Sequence, residues 1–265
     1  MKAYDNRIKY IELLMKYDDI SDYKKYELPE GFHYEFYKPG DEEELVMIHI
    51  ESGEFTSVEM GLKCFHDFYD SFIEELPKRC VFIVDNVTGE KVGTATISLL
   101  TEPEQGYNGA VDWVAIKKRY QGRHLAKPLI SKFMEIANNV GHSKLILHTQ
   151  TNTWLAGKLY LDYGFEILNK EEKLGWSILK TLTNHSKLEE FDFLTQDELL
   201  DGRNVEIERQ LTEMYGTEDF NYGVCYKDGL HNVYTYLNGI TNEYEYFIED
   251  GKIRLEEVTN KQYKR

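Results

Sequence analysis

A mixed α/β (α+β) fold, with one central sheet flanked by helices and a smaller α+β unit behind it, is predicted by three observations on the 265-residue chain. Apolar residues change repeatedly between a period of two and a period of three to four. Residues 110–148 read as strand, loop, helix and strand, which is the length of a parallel crossover unit. Beyond residue 183 the chain turns acidic and reads as one helix and several short strands joined by Asp-Gly and Asn-Gly turns.

Taken in order, residues 8–14 and 28–37 read as extended pieces separated by a polar loop at 18–25. Pro39-Gly40-Asp41 forms a turn whose Asp41 caps a helix over 42–52, with Leu45, Ile48 and His49 inward. A second helix carries the stripe Leu62, Phe65, Phe68, Tyr69, Phe72 and Leu76, and Pro77 ends it. Residues 80–84 and 91–99 are an antiparallel pair around the turn 86–90. A strand at 110–116, a helix at 125–140 and a strand at 144–148 follow. Residues 153–163 form a short helix that Gly164 terminates, and 165–168 with 176–179 make a final strand pair. After the polar linker 183–187, the expected elements are a helix at 204–214 and strands at 222–227, 232–237, 244–249 and 252–256.

Composition narrows the class. The net charge is −16, and residues 184–265 hold 9 Lys/Arg against 18 Asp/Glu. Nucleic acid is therefore not an expected partner; the acidic surface serves solubility first, and would also help draw in a cationic substrate such as an amine. No apolar run approaches the ~20 residues of a membrane span, and the first ten residues lack the apolar core of a secretory signal, so a cytoplasmic protein is expected. Cys64, Cys80 and Cys225 are odd in number and widely spaced, which points to buried free thiols. No His/Cys/Asp spacing suggests a metal, and no nucleophile elbow is present.

The richest stretch is 116–129, where a strand runs into a basic loop that opens a helix. Unpaired N–H groups at a helix start attract anions, and Gly122 lets the backbone approach a phosphate closely. Val114-Ala115-Ile116 followed by Arg119-Tyr120-Gln121-Gly122-Arg123-His124-Leu125-Ala126 resembles the acetyl-CoA signature of the Gcn5-related N-acetyltransferase (GNAT) family. The stretch Ala156-Gly157-Lys158-Leu159-Tyr160 up to Gly164-Phe165 is similar to that family's closing helix, and the order of elements agrees. The resemblance covers residues 32–181. It divides the chain into an N-terminal extension (1–31), an acetyltransferase domain (32–183) with a GNAT-like mixed sheet, and an acidic α+β domain (184–265) through which a homodimer could form.

That resemblance implies transfer of an acetyl group from acetyl-CoA to a small-molecule or peptide amine by direct attack. Gln121, Gly122, Arg123, His124, Leu125 and Ala126 would hold the pyrophosphate. Val114 and Ile116 would offer main chain to the pantetheine arm, and Thr153 either touches that arm or caps its helix. Tyr160 matches the family's general acid. Asp112, which strict alternation sets on the same strand face as Val114 and Ile116, is the candidate base, with His148 as a second choice. Tyr37, Glu54 and Phe55 are candidates for the acceptor wall. The signature departs at His124, which stands where the family has a glycine; a helical φ there would carry no steric cost. The competing reading is an acyl-CoA sensor without turnover.

Overall fold

Hydrophobic periodicity assembles two layers of helix around one sheet, seen in a computed structural model that describes residues 4–227 and 230–258, with side chains at 101, 102 and 225–231 outside the description. The elements in chain order are β1 (Glu12–Tyr17), β2 (Phe32–Phe36), α1 (Glu42–Ser52), α2 (Val58–Tyr69), α3 (Leu76–Arg79), β3 (Cys80–Asp85), β4 (Lys91–Glu104) and β5 (Tyr107–Ile116). There follow α4 (Ala126–Asn139), β6 (Leu145–Gln150), α5 (Trp154–Tyr163), β7 (Glu166–Ile167), α6 (Lys173–Thr183), α7 (Gln196–Leu199), α8 (Gly202–Tyr215), β8 (Asn221–Lys227), β9 (Leu230–Leu237), β10 (Ile240–Glu249) and β11 (Lys252–Glu257). Seven strands form the main sheet in the order β2-β3-β4-β5-β6-β1-β7, and the last four form a second sheet in the order β11-β10-β9-β8. In the main sheet only β5 and β6 run parallel.

Strand β3 shows how the layers are built. All six of its residues are buried. Val81 and Ile83 enter a core with Leu129, Phe133 and Met134 of α4, whereas Cys80, Phe82 and Val84 face a second core containing Leu45 and Ile48 of α1 and Phe65 and Tyr69 of α2. Period-two alternation thus feeds both faces of one sheet. Cys80 is buried and Cys64 half-buried, both as free thiols; the side chain of Cys225 lies outside the described residues.

Three expectations are corrected. First, Pro77 does not end the second helix: α2 stops at Tyr69, Phe72 has non-helical angles, and Pro77 sits in the first turn of α3, where its missing N–H costs nothing. Second, Trp176 to Leu179 is not a strand but the middle of α6, in which six consecutive residues from Gly175 to Lys180 are buried. Over the whole of Lys173–Thr183 the apolar residues follow a helical stripe, with Leu174, Ile178 and Leu182 four residues apart, which the four residues 176–179 are too short to show. The close seat of α6 depends on Gly175, where an added Cβ would lie 2.7 Å from Leu13 and 2.8 Å from Ile11. Third, the partner of β7 is β1, with Met15 opposite Ile167, and β1 also pairs antiparallel along the whole of β6. The segment 12–17 therefore fills an interior position in the sheet.

The C-terminal elements pack Ile207 and Leu211 of α8 on Tyr222, Val233, Tyr244 and Tyr246. This unit is stitched to both the N-terminal segment and the α1–α2 loop. Lys9 N–H donates to the Leu199 carbonyl at 2.9 Å, Asp201 N–H to the Arg7 carbonyl at 2.8 Å, Asn221 to the Ile50 carbonyl at 3.0 Å and Thr241 to the Thr56 carbonyl at 2.7 Å. No helix among the described residues is long and apolar enough to cross a membrane.

Two outcomes are expected. Leu13→Ala, at a fully buried position of β1, should cost about 3 kcal/mol in urea unfolding. His148 joins β6 to Glu12 of β1 at 3.0 Å and to Glu104 at the end of β4 at 3.1 Å. Burial alone would lower its pKa, but the two carboxylates outweigh burial and raise it. A raised histidine stabilises below its unfolded pKa and loses that contribution as pH rises through the folded value. Tm should fall between about pH 6.5 and the raised value, and His148→Gln should flatten that slope.

Candidate active site

The site starts from one extra residue in β5. Thr94 lies opposite Ala115 and Thr96 opposite Asp112, so three steps along β5 match two along β4. The bulge is at Trp113, whose φ is +51°. A bulge bends its strand and increases the local twist, and pairing of β5 with β6 is confined to Ala110↔Ile146 and Val111↔Leu147. Beyond that point the two strands part and leave a wedge bordered by Val114 and Ile116.

The bulge also reverses the alternation, which corrects the expected geometry of Asp112. Val111, Val114 and Ile116 pack toward the α4 core, whereas Trp113 and Ala115 pack toward the α1–α2 core. Asp112 is on the α1–α2 side, electrostatically coupled to Tyr69 of that core. It does not share a face with Val114 and Ile116. Burial raises its pKa, against Ser98 and the nearby His148, which lower it. His148 has both ring nitrogens bound to carboxylates and so serves as a structural tie.

At the wide end of the wedge is the loop 117–125. Gly122 has φ +77° and His124 φ +60°. The expected helical φ at His124 is not observed; the residue adopts the left-handed conformation that glycine prefers, which is uncommon for non-glycine residues but less so for His. Among the described residues, no protein acceptor is found for the N–H groups from Gly122 to Lys127. Leu125 buries its side chain while Ala126 opens α4. The Gln121 side-chain amide donates to the Ile116 carbonyl at 3.0 Å. Thr153 does not cap α5, and its hydroxyl instead donates to the Gln150 carbonyl at 3.0 Å.

Charge in this loop is already apportioned. Lys117 is buried between Glu90 at 2.6 Å and Glu51 at 3.1 Å, Arg119 pairs with the same two carboxylates, and Lys118 pairs with Asp219 of the C-terminal unit. Arg123 stacks over Tyr120 at 4.5 Å, and its positive charge is felt at Asp85. Of the loop's cations it is the one with no carboxylate in ion-pair range among the described residues.

Tyr160 is buried on α5, edge-on to Phe165 at 5.6 Å. Burial raises its pKa well above that of a free phenol, and the charges of Glu54 and Asp112 raise it further. The phenol is therefore protonated at any working pH. Tyr37 is a core residue whose hydroxyl donates to Glu42, away from any acceptor wall. Phe55 packs on Trp113 at 5.3 Å. Glu54 accepts a hydrogen bond from the His49 ring at 2.6 Å.

Sequence reasoning missed Trp113, Asn152 and Tyr4. Trp113 gathers His49, Phe55, Phe65, Phe68 and Tyr69 around one indole. Asn152 is buried with its side-chain oxygen unpartnered, and its carbonyl accepts the Asp5 N–H at 2.9 Å. The pKa of Tyr4 is pushed up to about 12, first by burial and then by Glu54. A small cavity of about 80 Å³ lies where Tyr4 and Asn6, Ser52 and Gly53, Lys118 and Gln121, and Phe220 to Tyr222 meet. Among the described residues no group of three or more His, Cys, Asp or Glu could hold a metal ion.

Several solved structures are similar to this chain at a low level. A GCN5-related N-acetyltransferase from Sphaerobacter thermophilus has 18% identity and a TM-score of 0.49, over 61% of this chain and 49% of that one. A GNAT-family acetyltransferase from Colwellia psychrerythraea has 12% identity and a TM-score of 0.46, over 61% and 55%. Glucosamine-6-phosphate N-acetyltransferase from Arabidopsis thaliana has 14% identity and a TM-score of 0.36, over 49% and 90%. The chain thus spans about half the length of the first two. A search of curated proteins finds no match. The model of the acetyltransferase (GNAT) family matches residues 44–165, which run from α1 through the bulged strand and the loop 117–125 to Phe165. The chain carries a domain of the acetyltransferase (GNAT) family.

Proposed function

We propose that the protein is an acetyl-CoA-dependent N-acetyltransferase that moves the acetyl group to an amine by direct attack within a ternary complex. The observation that carries this reading is the parting of β5 from β6 directly beyond Val111 and Leu147, with unpaired loop N–H groups at the wide end. A diphosphate suits the donors from Gly122 to Lys127, with Arg123 as the supplementary charge. An extended pantetheine arm suits the edge that β5 exposes, since it can add to the sheet as a strand would. The Ile116 carbonyl becomes available to it once Gln121 lets go.

The acetyl carbonyl then lies toward the narrow end, near the Trp113 bulge. Asp112 is the candidate base on the α1–α2 side. Its raised pKa brings it closer to the range in which a carboxylate takes a proton from an ammonium. Tyr160 donates to the leaving sulfur, and its high pKa makes it a persistent hydrogen-bond donor to the developing thiolate. The left-handed His124 keeps the loop course a glycine would give, which favours catalysis over the sensor reading. The acceptor is an amine, and the small cavity of about 80 Å³ beside the α1–α2 loop is its candidate entry.

Acetyl-CoA-dependent thiol release against a panel of amines tests the proposal; no stabilisation by acetyl-CoA and no thiol release would overturn it. Tyr160→Phe should lower kcat about tenfold or more with little change in acetyl-CoA affinity. Asp112→Asn should lower kcat about a hundredfold while leaving Tm unchanged or higher. The sign follows from linkage: a carboxyl whose folded pKa is raised binds more protons folded than unfolded, so its ionisation costs stability as pH rises, and Asn removes that cost. His124→Gly should relieve left-handed strain, gaining on the order of 0.5–1 kcal/mol in urea unfolding without weakening acetyl-CoA binding.

A further inference from the structure

We infer that His49 and Glu54 form a proton relay that carries the acceptor's surplus proton from the buried acetyl-transfer site to solvent. This rests on the N-acetyltransferase reading above. His49 is 0% exposed on the inner face of α1, edge-on to the Trp113 indole at 5.0 Å. Its Nδ1 lies 2.6 Å from the Glu54 carboxylate, whose side chain is 47% exposed. An ionised carboxylate only accepts, so Nδ1 carries the hydrogen and Nε2 presents a bare lone pair. That Nε2 is buried and has no partner. A sealed, unpartnered acceptor in a core is costly and calls for an explanation.

The orphan does not stand alone. Tyr69, against the same indole, has an unpartnered hydroxyl, and on the neighbouring β4 and β5 the Thr96 and Ser98 hydroxyls and Asp112 Oδ2 are buried and unpartnered as well. Tyr69 faces Thr96 and Asp112 faces Ser98, in neither case with hydrogen-bond geometry. Glu54 and Asp112 both act electrostatically on Tyr69 of α2 and on Tyr160 of α5, so each carboxylate lies within electrostatic reach of both phenols. Cys64 of α2 and Tyr4 and Tyr10 of the N-terminal segment also feel Glu54.

Proton balance supplies the role. An acceptor that arrives as an ammonium loses two protons as the C–N bond forms and the C–S bond breaks. One ends on the sulfur, to which Tyr160 only hydrogen-bonds; the other, taken up by Asp112 as the amine attacks, must reach solvent. Asp112 is sealed from solvent at Oδ2, whereas Glu54 is open. His49 takes the proton at Nε2 and releases the one on Nδ1 to Glu54, and the ring regains its starting tautomer after Glu54 discharges.

The test has two parts. On the ¹⁵N-labelled protein, imidazole NMR should show the His49 proton on Nδ1 with Nε2 bare; a proton on Nε2 would overturn the relay whether or not turnover is observed. In thiol-release assays, His49→Ala should lower kcat about tenfold or more and recover part of it with added imidazole, while acetyl-CoA affinity is unchanged. Glu54→Gln, at a half-exposed position that spares the fold, should lower kcat and steepen its dependence on buffer concentration. If wild type turns over and both variants keep its kcat and pH profile, the relay is wrong and the acetyltransferase reading stands. If wild type releases no thiol with any amine, both fall.

Discussion

Everything at this site depends on a single unpaired residue in a strand. Trp113 is the extra member of β5, and the strand that carries it ceases to bond to β6 just before reaching it. Without the bulge the main sheet would run uninterrupted and the wedge would close. The same residue turns Asp112 toward the α1–α2 layer and supplies the indole around which His49, Phe55 and Tyr69 collect. A bulge is stable here because aromatic packing encloses it on the α1–α2 side.

The overall charge and the local charge tell different stories. A chain of net charge −16 carries its basic loop inside a ring of its own carboxylates, with Glu51 and Glu90 neutralising Lys117 and Arg119. Those pairs hold the loop's shape and leave Arg123 without a carboxylate in ion-pair range among the described residues. The C-terminal unit contributes as well, since Asp219 holds Lys118 and Asn221 holds the end of α1. It is thus tied to the two segments that border the site.

Much of this was legible in the residues. The loop 117–125, the crossover helix and the paired strands β3 and β4 each have a local signature, in spacing or in turn chemistry, and these elements lie within a few residues of where they are expected. Most of what escaped has no local signature. The phase of Asp112 depends on the φ of its neighbour, which period-two counting assumes to be regular. Helix α6 has a helical period over its eleven residues, but Trp176 to Leu179 is one turn of it, too short to show a period, and passes for a strand. Segment 12–17 reads as extended, but nothing near it says that its partner is β6. His49 is identifiable as inward-facing, yet its link to Glu54 depends on how the loop after α1 returns.

The interior position of β1 bears on how the molecule is made. Ile11 and Thr151 are bonded across 140 residues of chain, so the first strand to be synthesised waits for one of the last strands of the sheet before it can pair. At ordinary ribosomal speeds that interval is on the order of ten seconds, during which Leu13 and Met15 have no core to enter. Non-local pairing of this kind slows folding and exposes apolar strand to misassociation. The step that closes the sheet is therefore also the step at which a growing chain most needs protection, and it sets α6 against β1 at the same time.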